Sequence, residues 1–268
     1  MKIRCAAILF AITFVVSAWT GSFAAAPEAP PVLMKLKSEL IRAFEVIDTD
    51  LSRTAKQLAR SGITGDNGKK ALDQLCLRHP SAIDCAAIDP AGRMITIRPE
   101  HYKRFEQTNV SMQDQVARLR TTGKPVMSQV FTAAEGMKAV AIQHPVVGAD
   151  NRFIGSVSML LKPESFLASV IGPAMRNLPG KAWVMQLDGL ILYDQDAGEI
   201  GRFLFTDPLY VPYPSLIETG RQMARSPEGR GRYEFLARGH EKVVSKIVNW
   251  TTAGLYGIEW RIAITREE

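Results

Sequence analysis

The stretch that decides the fold is AWVMQLDGLILY at residues 182–193. It consists of two short apolar runs separated by Asp188-Gly189, and an Asp-Gly pair in this setting is typical of a β-hairpin with a tight turn. The sequence AAIDPAGRMITI at residues 86–97 has the same form, with the longer turn Asp89-Pro90-Ala91-Gly92. We therefore predict two hairpins, one in each half of the chain.

The residues after each hairpin also follow one plan. In the first half the apolar pattern predicts a helix and then three strands, at 111–120, 126–131, 137–147 and 153–161. In the second half the same order is predicted at 214–224, 231–236, 242–250 and 257–265. Each half therefore runs hairpin, helix and three antiparallel strands, which predicts an α+β fold rather than a wound parallel sheet.

A long amphipathic helix is predicted before the first hairpin, at residues 32–62. Its apolar residues recur in steps of three and four and so line one face. These residues are Leu33, Leu36, Leu40, Phe44, Ile47, Leu51, Ala55 and Leu58. The predicted organisation is this helix, a first unit at 67–162, a linker at 163–181 and a second unit at 182–268.

Residues 1–26 have the features of an export signal. Lys2 and Arg4 precede an apolar run that ends in the small residues 24–26, and this order is that of a secretory signal peptide. The run is nearly long enough to cross a membrane, so an uncleaved N-terminal anchor is the alternative. In either case we expect the rest of the chain to lie in the periplasm or outside the cell.

Cleavage of that segment would leave Cys76 and Cys85 as the remaining cysteines. In an oxidising compartment a close pair of this kind usually forms a disulfide. A metal site that includes His79 is the alternative, but two cysteines and one histidine at this spacing do not match a zinc motif. We therefore predict a disulfide and no metal.

Composition and charge exclude several classes of function. The chain of 268 residues is 46% hydrophobic and 22% charged, which is typical of a globular protein. Loss of Lys2 and Arg4 lowers the formal net charge from +6 to +4, and no basic stripe is present, so a nucleic-acid partner is not expected. Nucleophile-elbow, phosphate-loop, dinucleotide and zinc-protease motifs are missing, so we predict neither an enzyme nor a cofactor.

Several short motifs occur in a set order in the two halves. In the first unit they are the turn at 89–92, His144-Pro145-Val146 and residues 153–157. In the second unit they are residues 188–194, Glu199-Ile200-Gly201 and Trp260. Together, over about Leu33 to Glu268, they resemble the double Cache domain, an extracellular sensor with a long helix and two PAS-like units. The resemblance implies a membrane-distal first unit and a membrane-proximal second unit.

The resemblance also implies a sensor that captures a small metabolite. Members of the family usually continue into a second transmembrane helix and an output domain, whereas this sequence stops at Glu268. We therefore expect the signal to pass to a separate membrane-embedded receptor, histidine kinase or cyclic-dinucleotide enzyme. The residues leave the oligomeric state open.

The resemblance places the main pocket in the first unit. Arg104 is the candidate partner of a ligand carboxylate because a guanidinium can bind it in a bidentate way. The candidate residues of this pocket are Tyr102, Arg104, Gln129, Phe131, Gln143 and Ser158. A second pocket in the second unit would have Tyr193, Asp194 and Tyr233 at its mouth. The expected ligand is an organic acid, an amino acid or an amine.

Two other functions remain as alternatives. A structural or protein-interaction module would fill the first-unit cavity with its own side chains, and Met127 and Phe131 are bulky enough to do so. An exported hydrolase would need a convergent nucleophile and base, for which the sequence gives no motif.

Overall fold

The computed structural model describes residues 30–176, 178, 180–237 and 242–268, so the predicted export signal lies outside the described residues. Helix α1 is Pro31–Ser61. It begins with a proline at its first position, where the missing N–H costs nothing. All eight apolar residues of the predicted stripe are buried. Of the described helices, none is long and apolar enough to span a membrane.

The first unit follows α1 and contains a sheet with antiparallel pairing throughout. A 3-10 turn at Glu100–Phe105 lies between its second strand and its second helix. Its elements are α2 (Gly65–Arg78), β1 (Ala82–Ile88), β2 (Met94–Arg98), α3 (Asp114–Thr122), β3 (Val126–Met127), β4 (Phe131–Thr132), β5 (Lys138–Val147) and β6 (Phe153–Leu161). The strand order is β2-β1-β6-β5-β3, and β4 also pairs with β5.

The second unit repeats that arrangement after the linker helix α4 (Pro163–Met175). Its elements are β7 (Lys181–Gln186), β8 (Ile191–Asp194), α5 (Pro214–Arg225), β9 (Gly229–Leu236), β10 (Val243–Leu255) and β11 (Ile258–Glu267). The order β8-β7-β11-β10-β9 is that of the first sheet, strand for strand. The predicted α+β fold of one long helix and two antiparallel sheets is confirmed.

The structure differs from the sequence prediction at several element boundaries, among them the start of α3 at Asp114 and the end of β10 at Leu255, and two further differences change an element. The strand predicted at 126–131 is divided into β3 and β4, and between them the Val130 N–H donates to Oε1 of Gln186 in the second unit at 2.9 Å. The linker helix, predicted to be short, runs for 13 residues because Phe166, Leu167 and Ile171 are buried in the main core and extend its apolar face.

Helix α1 packs against both sheets and so joins the two units. Its buried stripe shares one core with Val157 and Met159 of β6 and with Trp260 of β11. On its polar side, Asp48 accepts hydrogen bonds from His144 of β5, at 2.7 Å, and from Tyr256 in the turn between β10 and β11. One carboxylate of α1 therefore bonds to a side chain from each unit.

The predicted disulfide is present in the structure, where Cys76 and Cys85 are bonded with their Cα atoms 5.8 Å apart. It ties the last turn of α2 to the middle of β1. Because it closes a short loop, we expect replacement of both cysteines by alanine to lower the free energy of unfolding by about 2–3 kcal/mol. Urea denaturation of the two forms measures the difference, and equal midpoints would contradict this account.

Two buried histidines predict a loss of stability in mild acid. Burial lowers the pKa of His79 and of His144 below 6.5, although Asp50 and Asp48 respectively oppose the shift. A histidine whose pKa is lower in the folded than in the unfolded protein stabilises the fold fully above pH 6.5, its value in the unfolded chain. This stabilisation is lost as the pH falls through the pKa of the folded state. Urea titrations between about pH 7.5 and 5 should therefore show a smaller decline for the His79→Gln, His144→Gln double variant than for the natural sequence. A decline of the same size in both proteins would assign it to other groups.

Candidate functional site

The first sheet carries a small cavity on the face turned away from α1. Side chains alternate along β6, so Val157 and Met159 pack toward α1 while Ser158 and Leu160 line the cavity. Its volume is about 20 Å³, which is close to the space that one water molecule needs. The lining consists of Asp84, Ala86, Ile88, Met94, Val110, Gln113, Ala133, Ala134, Glu135, Ala141, Gln143, Ser158 and Leu160.

A carboxyl group is buried in this cavity. Asp84 of β1 is 3% exposed, and its Oδ2 atom has no hydrogen-bond partner among the described residues. Burial, and then the like charge of Glu135, raise the pKa of Asp84 well above its ordinary value of 3.8. A hydrogen bond between two carboxyls requires that one of them keep its proton. The pair therefore needs either a proton or a cation between its oxygens.

A second unsatisfied acceptor lies in the same cavity. Gln143 is 1% exposed and its Oε1 atom also lacks a partner among the described residues. Gln143 faces Ser158 across the β5–β6 pair, and Ser158 in turn faces Ala86 of β1. The cavity thus presents acceptor atoms from neighbouring strands, and none of its lining residues is a lysine or an arginine.

A turn at residues 133–136 covers the cavity. Ala133 and Glu135 line it from this turn, which is closed by a hydrogen bond from the Gly136 N–H to the Ala133 carbonyl. Tyr102 and Phe131 pack against the small apolar cluster beside the cavity, around Ala133 and Leu160, without lining it. A metabolite can enter only if this turn moves, since the present volume is too small.

The structure brings two of the six predicted first-unit residues, Gln143 and Ser158, into the lining. Gln129 is exposed in the segment between β3 and β4 and lies outside the lining. Arg104 is also exposed and outside it, with its guanidinium 4.9 Å from the ring centre of Phe105. The 3-10 turn and the strand break direct these two residues toward solvent, so the structure does not bring them to this cavity.

The acidic residues Asp84 and Glu135 were missed by the sequence reasoning. One signal was available, since Asp84 interrupts the apolar strand AIDCAAI, in which an unpaired carboxylate is costly. Glu135 carries no such signal, because it lies in a polar turn.

The second sheet carries a much larger cavity at the equivalent position, on its face away from α1. Its volume is about 370 Å³. Two of the residues predicted for a second pocket, Asp194 and Tyr233, line it, whereas Tyr193 does not. Tyr193 is buried in the main core, because the pairing of β7 with β8 skips Leu192 and so turns Tyr193 toward α1 and Asp194 toward the cavity. The lining residues are Gly180, Lys181, Trp183, Ile191, Asp194, Glu199, Leu204, Tyr210, Leu216, Tyr233, Phe235, Lys246, Thr265, Arg266 and Glu267.

The acidic groups of this second cavity are held by its own side chains. Lys181 Nζ lies 2.8 Å from Asp194 and 3.7 Å from Glu199, and the Tyr210 hydroxyl donates to Glu199 at 3.2 Å. Burial is the main cause that raises the pKa of Asp194 and of Glu199, while Lys181 opposes the shift in both. On the other side, the Trp183 indole N–H donates to the Thr265 hydroxyl at 3.0 Å.

Within the described part of the chain, no three histidine, cysteine, aspartate or glutamate side chains are grouped so that they could hold a metal ion.

Comparison with known proteins agrees with this architecture. Residues 42–163 match the family model described as HK/GC/Chemotaxis protein-like, sensor domain. An extracellular ligand binding receptor from Desulfohalobium retbaense is similar over 88% of this chain, with 31% identity and a TM-score of 0.73, and this chain spans 39% of that one. No curated protein matches the sequence.

Two chemoreceptor domains of Pseudomonas aeruginosa PAO1 have the same fold at lower identity. The ligand binding domain of PctB, in complex with L-Gln, is 17% identical, with 88% of each chain covered and a TM-score of 0.61. That of PctC, in complex with GABA, is 20% identical over 87% of this chain and 96% of that one, with a TM-score of 0.57.

One long helix followed by two equivalent antiparallel sheets gives the chain a double Cache-like fold.

Proposed function

We propose that this protein is an exported sensor module, and not an enzyme, that captures a small amine-bearing metabolite in its first unit. The observation that carries the proposal is the buried Asp84 carboxyl beside Glu135, because the two acids need a proton or a cation between their oxygens. A buried carboxyl pair on a cavity that no lysine or arginine lines is a strong candidate for contact with a cationic ligand.

The chemistry of the lining supports an amine over an organic acid. Asp84, Glu135 and the Gln143 carbonyl oxygen are acceptors, and an ammonium group offers three donors together with the missing positive charge. No lysine or arginine lines the cavity to bind a carboxylate, since Arg104 lies outside it. L-Gln and GABA, which are bound by the similar chemoreceptor domains, each carry an amine together with a carboxylate.

The site is well placed to affect helix α1. Ser158 contacts the cavity while its neighbours Val157 and Met159 pack toward α1, so the two faces of β6 connect the ligand to the helix. Entry of a ligand displaces the turn at 133–136, and the ligand stabilises the arrangement of the sheet that binds it better. A membrane-embedded receptor, histidine kinase or cyclic-dinucleotide enzyme that contacts α1 would receive this change.

The proposal is tested by thermal denaturation with n-butylamine and 4-aminobutyrate, with butyramide as the neutral control. Ligand at a hundredfold above its dissociation constant should stabilise the protein by about 2.7 kcal/mol. We expect the two amines to stabilise the natural protein and butyramide to have no effect. A response that Asp84→Asn leaves intact would place amine binding elsewhere and overturn the proposal.

A structural or protein-interaction module is the second candidate, and one observation favours it. The first-unit cavity is only about 20 Å³, so its walls nearly meet. If a broad panel of amines and amino acids leaves the melting temperature of the folded protein unchanged, this second function is the better supported one.

A further inference from the structure

The charged side chains that line the second-unit cavity differ in how many hydrogen-bond partners they have. Two of its three carboxylates are already occupied, because Lys181 contacts both Asp194 and Glu199 and the Tyr210 hydroxyl donates to Glu199. The backbone N–H of Asp196 also donates to Asp194, at 2.7 Å. These acids therefore have little capacity left for a cationic ligand.

The lysine on the opposite side of the cavity is in a different situation. Lys246 of β10 is 6% exposed and donates to the Leu236 carbonyl at 2.5 Å. Within the described ranges it takes part in no ion pair, and its ammonium is 5.5 Å from the ring centre of Phe235. Burial and the positive charge of Lys181 lower its pKa, whereas Glu267, Glu199 and Asp194 oppose the shift. An anion in direct contact with the ammonium would relieve the cost of its burial. A buried ammonium has three donors, and among the described residues only the Leu236 carbonyl accepts from this one.

The remaining wall of the cavity is aromatic and apolar. Trp183, Tyr233 and Phe235 lie on the sheet, and Leu204 and Leu216 cover them from the segments that cross it. The phenolic oxygen of Tyr233 is held by the Thr265 hydroxyl at 3.1 Å, which leaves its ring as an apolar surface. A volume of about 370 Å³ is within the range of small-ligand sites.

We infer that the second unit is a ligand site of its own, for a small monocarboxylate with an aromatic or branched apolar body. The carboxylate binds the Lys246 ammonium, and the body packs among Trp183, Tyr233 and Phe235. The two units are then sensors of opposite charge preference on one scaffold, since the first-unit cavity is lined by Asp84 and Glu135 without a lysine or an arginine. This inference does not depend on the first-unit proposal, because the two cavities share no residue.

The experiment measures binding of three probes that share one body, namely phenylacetate, phenylacetamide and phenethylamine, by calorimetry on the purified protein. We expect phenylacetate to bind, and the neutral and cationic probes to bind at least about tenfold more weakly, since a hydrogen bond to a charged group is lost. Lys246→Met should weaken phenylacetate by a similar factor, and Lys246→Arg should restore most of it. Lys138→Met, at an exposed lysine of β5, is the matched control and should change nothing.

Several results would overturn the inference. These are no binding of phenylacetate at any soluble concentration, equal binding of the three probes, or unchanged binding in Lys246→Met. If Lys246→Met does not fold, the order of the three probes on the natural protein and on Lys246→Arg decides the question. Loss of the phenylacetate signal in Asp84→Asn would place the acid in the first unit and would also contradict a second site.

Discussion

Replacement of Asp84 by asparagine is expected to abolish amine binding and, at neutral pH, to make the ligand-free protein more stable. The substitution keeps the size of the side chain but removes the charge that attracts an ammonium. Loss of one partner of a buried, hydrogen-bonded charge pair typically costs about 2–5 kcal/mol, which corresponds to a factor of roughly 30 or more in affinity. The dissociation constant of n-butylamine or 4-aminobutyrate, measured by calorimetry, is the direct readout.

The gain in stability has a distinct dependence on pH. Because burial and Glu135 raise the folded-state pKa of Asp84, its favourable contribution is complete below pH 3.8 and is lost as the pH rises through the folded value. The natural protein should therefore be least stable, relative to the variant, at neutral pH. We expect Asp84→Asn to have the higher urea midpoint near pH 7 and to lose this advantage near pH 4.

The matched control for this substitution is Asp66→Asn, in the exposed first turn of α2. It makes the same chemical change without removing a buried charge, so both binding and stability should stay as they are. A destabilised Asp84→Asn protein at neutral pH would mean that the carboxylate is satisfied in the native state. Retained amine affinity would mean that Asp84 does not contact the ligand.

The fold could be predicted from the sequence because its signals are local. The eight apolar residues of α1 recur at helical spacing, and the hairpin turns at Gly92 and Gly189 both have glycine at a positive φ. The second half repeats the elements of the first in the same order, so the prediction for each half supports the prediction for the other. These are patterns of burial and of backbone conformation, which a single sequence records directly.

The first-unit site could be predicted only in part because its residues are set by the cross-strand register. Gln143 and Ser158 face each other across β5 and β6, and their alternation with buried neighbours was readable. Asp84 lies on a strand that is buried on both faces, so alternation does not show which side it occupies. Glu135 reaches the cavity from a turn, and turn positions carry no periodic signal.

The sequence prediction placed both Tyr193 and Asp194 at the mouth of the second pocket, and only Asp194 lies there. Tyr193 and Asp194 are consecutive residues of β8, so they must point to opposite faces of the sheet. Asp194 faces the cavity, and Tyr193 packs into the core around α1. Two lysines complete the cavity, Lys181 of β7 and Lys246 of β10. Their strands come near each other only in the folded sheet, where each of them pairs with β11.

Replacement of Phe44 by alanine is expected to lower the free energy of unfolding more than any other prediction made for this protein. Phe44 is 1% exposed on α1, and its ring centre lies 5.1 Å from that of Phe166 in α4 and 5.3 Å from that of Trp260 in β11. Truncation of a buried phenylalanine typically costs about 3–5 kcal/mol, through lost burial and the cavity left behind.

Because Phe44 joins α1 to the linker helix and to the second sheet, its loss should also loosen the helix from that unit. Urea denaturation measures the change, and Val46→Ala on the same helix is the matched control, since Val46 is 53% exposed and should shift stability by less than about 0.5 kcal/mol. If Phe44→Ala proves no more costly than Val46→Ala, the aromatic cluster does not hold α1 to the second sheet. Hydrogen exchange of α1 separates the two effects, because a loosened helix exchanges faster than the strands on which it packs.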